Sequence, residues 1–208
     1  GPEAFTEVRY LAHVKQMRAL ELIPGWAEEF REAFGRDSGG LMRTYRTQDA
    51  DTIVVALGSV LGTIKETVDA MRDKGERIGV LGITCFRPWP SAAVRAALAR
   101  AKRIVVLEKS IAVGLGGIVA ANVRASFGGH PDVVHTVVAG LGGRSITRES
   151  LARVFTAASH GTLAPLTFLD LDHGLVERAL ARERQTPHSG PVAEGLLRDV
   201  GVVAAKIS

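Results

Sequence analysis

The sequence predicts an α/β fold in which a parallel sheet lies between two layers of helices. Three observations carry that prediction. Between Thr52 and Arg144 one pattern recurs three times: a short β-branched run, a turn marked by glycine or proline, then apolar positions at helical spacing. The strand candidates are continuous apolar runs rather than alternating ones, as expected of strands buried on both faces. The chain has 208 residues, 46% hydrophobic and 23% charged, which suits one main domain with appendages that buries roughly 70–75% of its unfolded surface.

The elements follow in order. From Thr6 to Leu22 two apolar rows, Val8/Leu11/Ala12 and Tyr10/Val14/Met17, recur at helical spacing, with Thr6 as N-cap. Pro24 and Gly25 are expected to stop this helix, and Trp26, Phe30, Ala33 and Phe34 to form a second one before the glycine-rich turn 35–40. Residues 1–48 thus read as a helical arm or linker.

Residues 49–161 form the predicted α/β domain. Its first strand is Thr52 to Leu57. Ser59 then caps a helix that carries Val60, Leu61, Ile64, Val68 and Met71 on one face, and Gly75 ends it as a left-handed C′ residue. The second strand, Arg77 to Phe86, includes Cys85 and leads through the turn 87–90 into a helix from Ser91 to Lys102 packed by Val94, Ala97, Leu98 and Ala101. The third strand runs from Arg103 to Glu108, followed by the loop Lys109 to Gly116 and a helix from about Gly117 to Phe127. The fourth, Val133 to Val138, meets Gly140 to Arg144, after which Thr147 caps a helix with Leu151, Val154, Phe155 and Ala158 on one side. Residues 162–208 read as a C-terminal extension that covers a surface: Leu163 to Leu171 is apolar but broken by Pro165, Leu175 to Arg184 is a short helix capped by Asp172, and a polar loop precedes Val192 to Val200.

Composition excludes several classes. The formal charge of +4 is scattered, with no block of like charges and 5% aromatics, so no basic stripe marks a nucleic-acid protein. No apolar run reaches the ~18 residues of a membrane helix, and no signal-peptide pattern opens the chain. The single cysteine, Cys85, cannot form an internal disulfide, which implies a reducing cytoplasm. The six histidines show no metal-ligand spacing, so no metal site is expected.

Several motifs lie where predicted strands end. Gly58, Ser59, Gly62 and Thr63 form a turn into a helix N-terminus that suits an anion, although Ser59 is equally explained as a cap and the Lys-Ser/Thr ending of a nucleotide loop is missing. The runs 114–117 and 140–143 fail the dinucleotide fingerprint, whose third glycine would fall at Val119 and Ser145. Two prolines stiffen the turn 87–90 and point Arg87 and Trp89 outward from the carboxyl edge of the sheet. Arg87 suits a carboxylate or phosphate and Trp89 an interface, while a rigid crossover with a salt-bridged arginine explains both equally. Glu108, Lys109 and Ser110 close the third strand on the same edge, as a local pair or a contact across a subunit boundary.

Taken together these segments resemble the second domain of the α subunit of pyruvate:ferredoxin oxidoreductase and related thiamine-diphosphate-dependent 2-oxoacid:acceptor oxidoreductases. The resemblance rests on Val54 to Ser59, on Gly79 to Leu81 with Phe86 to Pro90 (where the family usually has Phe in place of Trp89), and on Gly140 to Arg144 with Ile146 and Thr147. Phe34 to Arg36 and Tyr45 to Asp51 look like the family's interdomain link. The resemblance covers residues 3 to about 160.

It implies a fold like the C-terminal domain of transketolase: a mostly parallel open sheet of about five strands with helices on both faces and one edge strand antiparallel. It also implies a part in the oxidative decarboxylation of a 2-oxoacid, pyruvate by default, to acyl-CoA and CO2, with electrons passing to ferredoxin or, through other subunits, to NAD. The implied complex uses thiamine diphosphate, Mg, [4Fe-4S] clusters and coenzyme A, and its implied partners are β, γ and ferredoxin-like δ subunits and a symmetry-related α subunit. The family's pyrimidine-binding domain is not among these residues and a cluster needs about four cysteines, so no catalytic residue is carried over. These residues are expected to be structural, with Arg87, Trp89, Glu108, Lys109, Ser110 and Arg144 forming the surface that meets a neighbour. The alternatives are a phenylglyoxylate-type, NAD-linked subunit and a stand-alone anion- or nucleotide-binding module.

Overall fold

A computed structural model of the chain describes residues 1–127, 133–185 and 200–201. After a single 3-10 turn, Pro2–Ala4, the elements are α1 (Phe5–Phe34), β1 (Met42–Tyr45), β2 (Thr52–Ala56), α2 (Val60–Arg72), β3 (Ile78–Ile83), α3 (Ser91–Leu98), β4 (Arg103–Glu108), α4 (Ile118–Ser126), β5 (Val134–Val138), a 3-10 turn Leu141–Gly143, α5 (Arg148–Ser159), β6 (Leu166–Phe168) and α6 (His173–Gln185). They fall into two compact units, Gly1–Leu169 and Asp170–Ser208.

In the first unit six strands form one sheet in the order β1-β3-β2-β4-β5-β6. All neighbours run parallel except β1, which pairs antiparallel with β3 at the edge, Thr44 opposite Leu81. The sheet is therefore the mostly parallel one anticipated, with one strand more. Successive residues of a strand point to opposite faces, so the unbroken apolar run of β2 feeds two cores. Val54 and Ala56 pack with Ile64, Val68, Leu151 and Phe155 of α2 and α5. Ile53 and Val55 pack with Val94, Leu98, Ala120 and Val123 of α3 and α4. Every residue of β2 and β3 is buried, and each fully buried Val, Leu or Ile contributes about 1.5–3 kcal/mol.

Local rules hold where the partners are close in sequence. Gly75 adopts φ +89°, its N–H donates to the Arg72 carbonyl, and the Glu76 N–H reaches back to Met71, completing the two-bond C-terminal cap that α2 needs. Thr147 Oγ1 accepts the Ser150 N–H at 3.1 Å at the head of α5.

The structure departs from the sequence reading at six places, the first of which is that Met42–Tyr45, within the expected arm, is the antiparallel edge strand β1. Pro24 does not break the arm: α1 is one 30-residue helix from Phe5, headed by Ala4 without a side-chain cap, so Thr6 lies inside it. Proline removes one N–H from the ladder, here in a helix with no buried residue, where water reaches the carbonyl left over. Good helix formers flank it at Ala19 to Leu22 and Ala27 to Glu29. Ser59 stands at the head of α2 in helical geometry and makes no side-chain cap. β3 ends at Ile83 because the Thr84 and Cys85 N–H groups both turn to the Leu41 carbonyl, which leaves Cys85 half-buried outside the strand with its thiol on the Pro88 carbonyl at 3.3 Å. α3 ends at Leu98, and the Lys102 N–H turns to Asp51. Finally, Leu166–Phe168 is a sixth strand, and Leu163 and Leu169 beside it are buried in the core. Pro165 stands just before that edge strand, where its missing N–H costs nothing and its carbonyl accepts from Thr136.

In the second unit Asp172 Oδ1 accepts the Leu175 N–H at 2.8 Å, capping α6 as expected. The polar loop after Gln185 and the stretch Val192 to Val200 lie, but for Val200, outside the described residues. No helix among the described residues is long and apolar enough to cross a membrane.

The segment joining β1 to β2 is stapled to α2. Tyr45 Oη donates to both Asp69 oxygens at 2.9 and 2.8 Å, Arg46 pairs with Asp69 at 2.7 Å, and Arg72 grips both oxygens of Asp49 at 2.6 and 2.7 Å. Hydrogen bonding from Arg72 holds the Asp49 carboxyl below its ordinary value of 3.8. A depressed carboxyl pKa stabilises the fold above the unfolded value, and that contribution is lost as pH falls through the folded one. Asp49→Asn should therefore melt earlier than the wild type at pH 7, and calorimetry should find the gap closing well below pH 3.8. A gap unchanged at pH 2 would refute the assignment.

Candidate functional site: the carboxyl edge of the sheet

Parallel α/β sheets bring their functional groups together where the carboxyl ends of the strands emerge, above all where neighbouring strands send their helices to opposite faces. β2 and β4 are such a pair: β2 leads to α2 on one face and β4 to α4 on the other. Their register, Val55 opposite Val106, starts the loops at Gly58 and Lys109 side by side.

Glu108 organises this edge, and it does so from within. Its side chain is 2% exposed. Oε2 accepts the Val119 N–H at 3.0 Å and Oε1 the Ala120 N–H at 2.7 Å. A buried carboxylate thus caps α4, whose own N-cap residue, Gly117, makes no side-chain bond. Unsatisfied N–H groups and the helix dipole favour a negative charge at that point. Gly117 makes the room: a Cβ there would stand 2.0 Å from Glu108 Oε1 and 2.7 Å from Thr136 Cγ2. Glu108 is therefore not part of the outward surface that the sequence suggested. Its partners lie 11 and 12 residues downstream, beyond the reach of any local capping pattern.

Lys109 and Ser110, the next residues, are exposed. The Lys109 chain runs beside Gly140, whose added Cβ would meet Lys109 Cε at 3.3 Å, so the loops after β4 and β5 touch. Arg144 is exposed on the second of these loops. Arg87 is exposed beyond β3, with its guanidinium over the Phe86 ring at 4.1 Å and Nη1 donating to the Phe86 carbonyl at 2.7 Å. Trp89 turns inward. It is half-buried, stands edge-on to Phe86 with ring centroids 6.2 Å apart, and donates its indole N–H to Ser126 Oγ at 2.9 Å, tying the turn to α4. Gly58, Ser59 and Gly62 are exposed at the head of α2, Gly58 with φ +81° and open space about it. Thr63 is half-buried, and its carbonyl accepts from Thr67.

Other candidates do not converge on this edge. His135 sits on β5 with Nδ1 3.2 Å from the Ala164 carbonyl, and His130 and His188 lie outside the described residues. A shallow cavity of about 210 Å3 opens at the opposite, amino edge, lined by Asp51, Thr52, Arg77, Arg103 and His160 among others. The sequence reading did not single it out, because its residues come from four separate segments.

Residues 50–151 match the family model described as "Pyruvate:ferredoxin oxidoreductase core domain II". The chain is 37% identical over 185 residues to pyruvate synthase subunit PorA of Methanosarcina barkeri, across 85% of this chain and 46% of that protein. It is 31% identical over 148 residues to ketoisovalerate oxidoreductase subunit VorA of Pyrococcus horikoshii, across 70% of this chain and 38% of that one. A solved 2-oxoglutarate:ferredoxin oxidoreductase from Magnetococcus marinus, with 2-oxoglutarate, coenzyme A and succinyl-CoA bound, aligns at 20% identity and a TM-score of 0.47 over 63% of this chain and 21% of that one. The chain spans less than half the length of the curated relatives it matches.

Removing the buried carboxylate leaves two helix N–H groups unsatisfied, so Glu108→Ala should cost about 2–3 kcal/mol in urea unfolding. Gly117→Ala, which drives a methyl into the same carboxylate, should be comparably damaging. Because both act on one contact, the double variant should lose less than the sum; simple additivity would disprove the coupling.

Proposed function

We propose, because this chain belongs to the pyruvate:ferredoxin oxidoreductase family through its core domain II, that it is part of the α subunit of a thiamine-diphosphate-dependent 2-oxoacid:acceptor oxidoreductase. The enzyme would decarboxylate a 2-oxoacid, form the acyl-CoA and deliver electrons to ferredoxin. The observation that carries this reading is the extent of the family match: residues 50–151 run from two residues before β2 to the first turn of α5, and so take in β2 to β5 and the loops that follow them. Pyruvate is the favoured substrate, given the pyruvate synthase relative. The resemblance to a ketoisovalerate oxidoreductase subunit, at slightly lower identity, makes a branched 2-oxoacid the second reading.

The residues present do not fit the redox and thiamine groups of such an enzyme. A [4Fe-4S] cluster takes four thiolates and the chain has one cysteine. Among the described residues no three His, Cys, Asp or Glu side chains gather to hold a metal-bound diphosphate. We therefore assign thiamine diphosphate, Mg and the clusters to other polypeptide, in β, γ and ferredoxin-like δ partners or elsewhere in the α subunit. Their task is positional. A sheet buried on both faces is a stiff wall, and a closed site needs rigid walls that exclude water and hold reacting groups in register. With its single cysteine reduced, the assembly would work in the cytoplasm.

Purification of the native complex through this chain, followed by metal and thiamine analysis and a dye-reduction assay, tests the proposal. Iron, thiamine diphosphate and coenzyme-A-dependent dye reduction with pyruvate are expected. A complex lacking iron and inert toward every 2-oxoacid would defeat it, as would tight calorimetric binding of ADP by the chain alone, which the anion-module alternative requires.

A further inference from the structure

Two aliphatic side chains stand almost fully in solvent on the loop between β4 and α4: Val113 is 93% exposed and Leu115 76%. They are held there. The Ala112 N–H donates to the Gly116 carbonyl at 2.9 Å, and the Gly116 and Leu115 N–H groups return to Ala112 at 2.8 and 2.9 Å. Gly114 and Gly116 take φ of +83° and +108°, values that side chains rarely adopt. At the base, the Glu108 clamp fixes the strand to the helix. Such a loop does not fold its apolar tip back on the domain, and a fixed tip loses little freedom when it is covered.

The flanking loops extend the same character. Leu57 after β2 and Leu141 after β5 are 39% and 41% exposed, and both strands neighbour β4. Charge is segregated as well. The loops 57–59, 84–90, 109–117 and 140–147 contain Arg87, Lys109 and Arg144 and no Asp or Glu, in a chain whose 22 acids nearly balance its 26 bases. Glu108, the acid beside them, is buried and spent on α4.

We infer that the carboxyl edge is a docking surface for an acid-rimmed apolar pocket on another polypeptide of the enzyme, into which Val113 and Leu115 insert while Arg87 and Lys109 meet the acidic rim. This rests on the reading of the chain as one part of a multisubunit oxidoreductase. A polypeptide is the occupant because aliphatic tips require an apolar cavity, which neither a free anion nor a nucleic-acid backbone offers. The rim charges govern the rate of encounter and its salt dependence, and the buried tips govern dissociation.

The test uses the intact complex, followed on dilution by sedimentation and native mass spectrometry. Val113→Asp and Leu115→Asp should each weaken one subunit contact tenfold or more, with the circular dichroism and melting of the variant chain unchanged, whereas Val113→Ile keeps wild-type affinity. Arg87→Glu and Lys109→Glu should slow association several-fold and flatten its dependence on salt. Wild-type assembly by both aspartate variants would overturn the inference. So would loss of self-association of this chain alone, or loss of binding to anionic lipid vesicles, as the main effect of those variants. Turnover of 2-oxoacid by the unmutated complex separates the two readings: activity together with variant-insensitive assembly sinks only the docking surface, and variant-sensitive assembly of an inactive complex sinks only the proposed reaction.

Discussion

A carboxylate buried at the end of a strand and bound to the head of the following helix sets the geometry of the whole carboxyl edge. Two N–H groups of α4 find their acceptor in Glu108 rather than in water, so the helix start, the strand end and the loop between them move as one body. The arrangement tolerates no side chain at position 117. It also turns that acid away from the loops 57–59, 84–90, 109–117 and 140–147, which hold no Asp or Glu and present an apolar and cationic surface. Among the described residues no buried side-chain polar atom lacks a partner, as a well-packed interior requires.

The rest of the unit supports that edge from below. β2 and β4 lie at the centre of the sheet, and their alternating side chains belong to two separate cores, so neither helix layer can shift without disturbing the strands that carry the loops. At the other side of the sheet, Tyr45, Asp69, Arg72 and Asp49 fasten the edge strand β1 and its connection to α2. The rigid, apolar-tipped loop after β4 follows from these constraints together with two glycines at positive φ. Strength in this body lies in the frame, a sheet packed on both faces.

Sequence patterns were legible where cause and effect lie within a few residues. The valine-rich runs announced β2 and β4, Gly75 the end of α2, Thr147 the start of α5 and Asp172 the start of α6, because each rests on a bond or a steric preference inside one turn. Breakers were less reliable. Pro24 and Gly25 suggested two helices where one runs through, since a solvated helix gives up a single hydrogen bond at little cost and the residues on both sides favour it. Leu163 to Leu171 carried too little periodicity to be recognised as a strand, because β6 is a three-residue edge element whose place is set by β5 rather than by its own pattern.

By itself the sequence determined the class of fold, the alternation of strands and helices between Thr52 and Ser159, the faces that enter the core and the poverty of this chain in cluster ligands, all of which depend on local spacing and residue type. Only the tertiary structure decided that Glu108 turns inward to cap α4, that Trp89 spends its N–H on Ser126, and that Val113 and Leu115 are left in solvent beside Arg87 and Lys109. The physical reason is distance along the chain: the partners are 11 to 37 residues apart, and no periodicity records which of several polar or apolar neighbours the packing of a sheet will bring within reach.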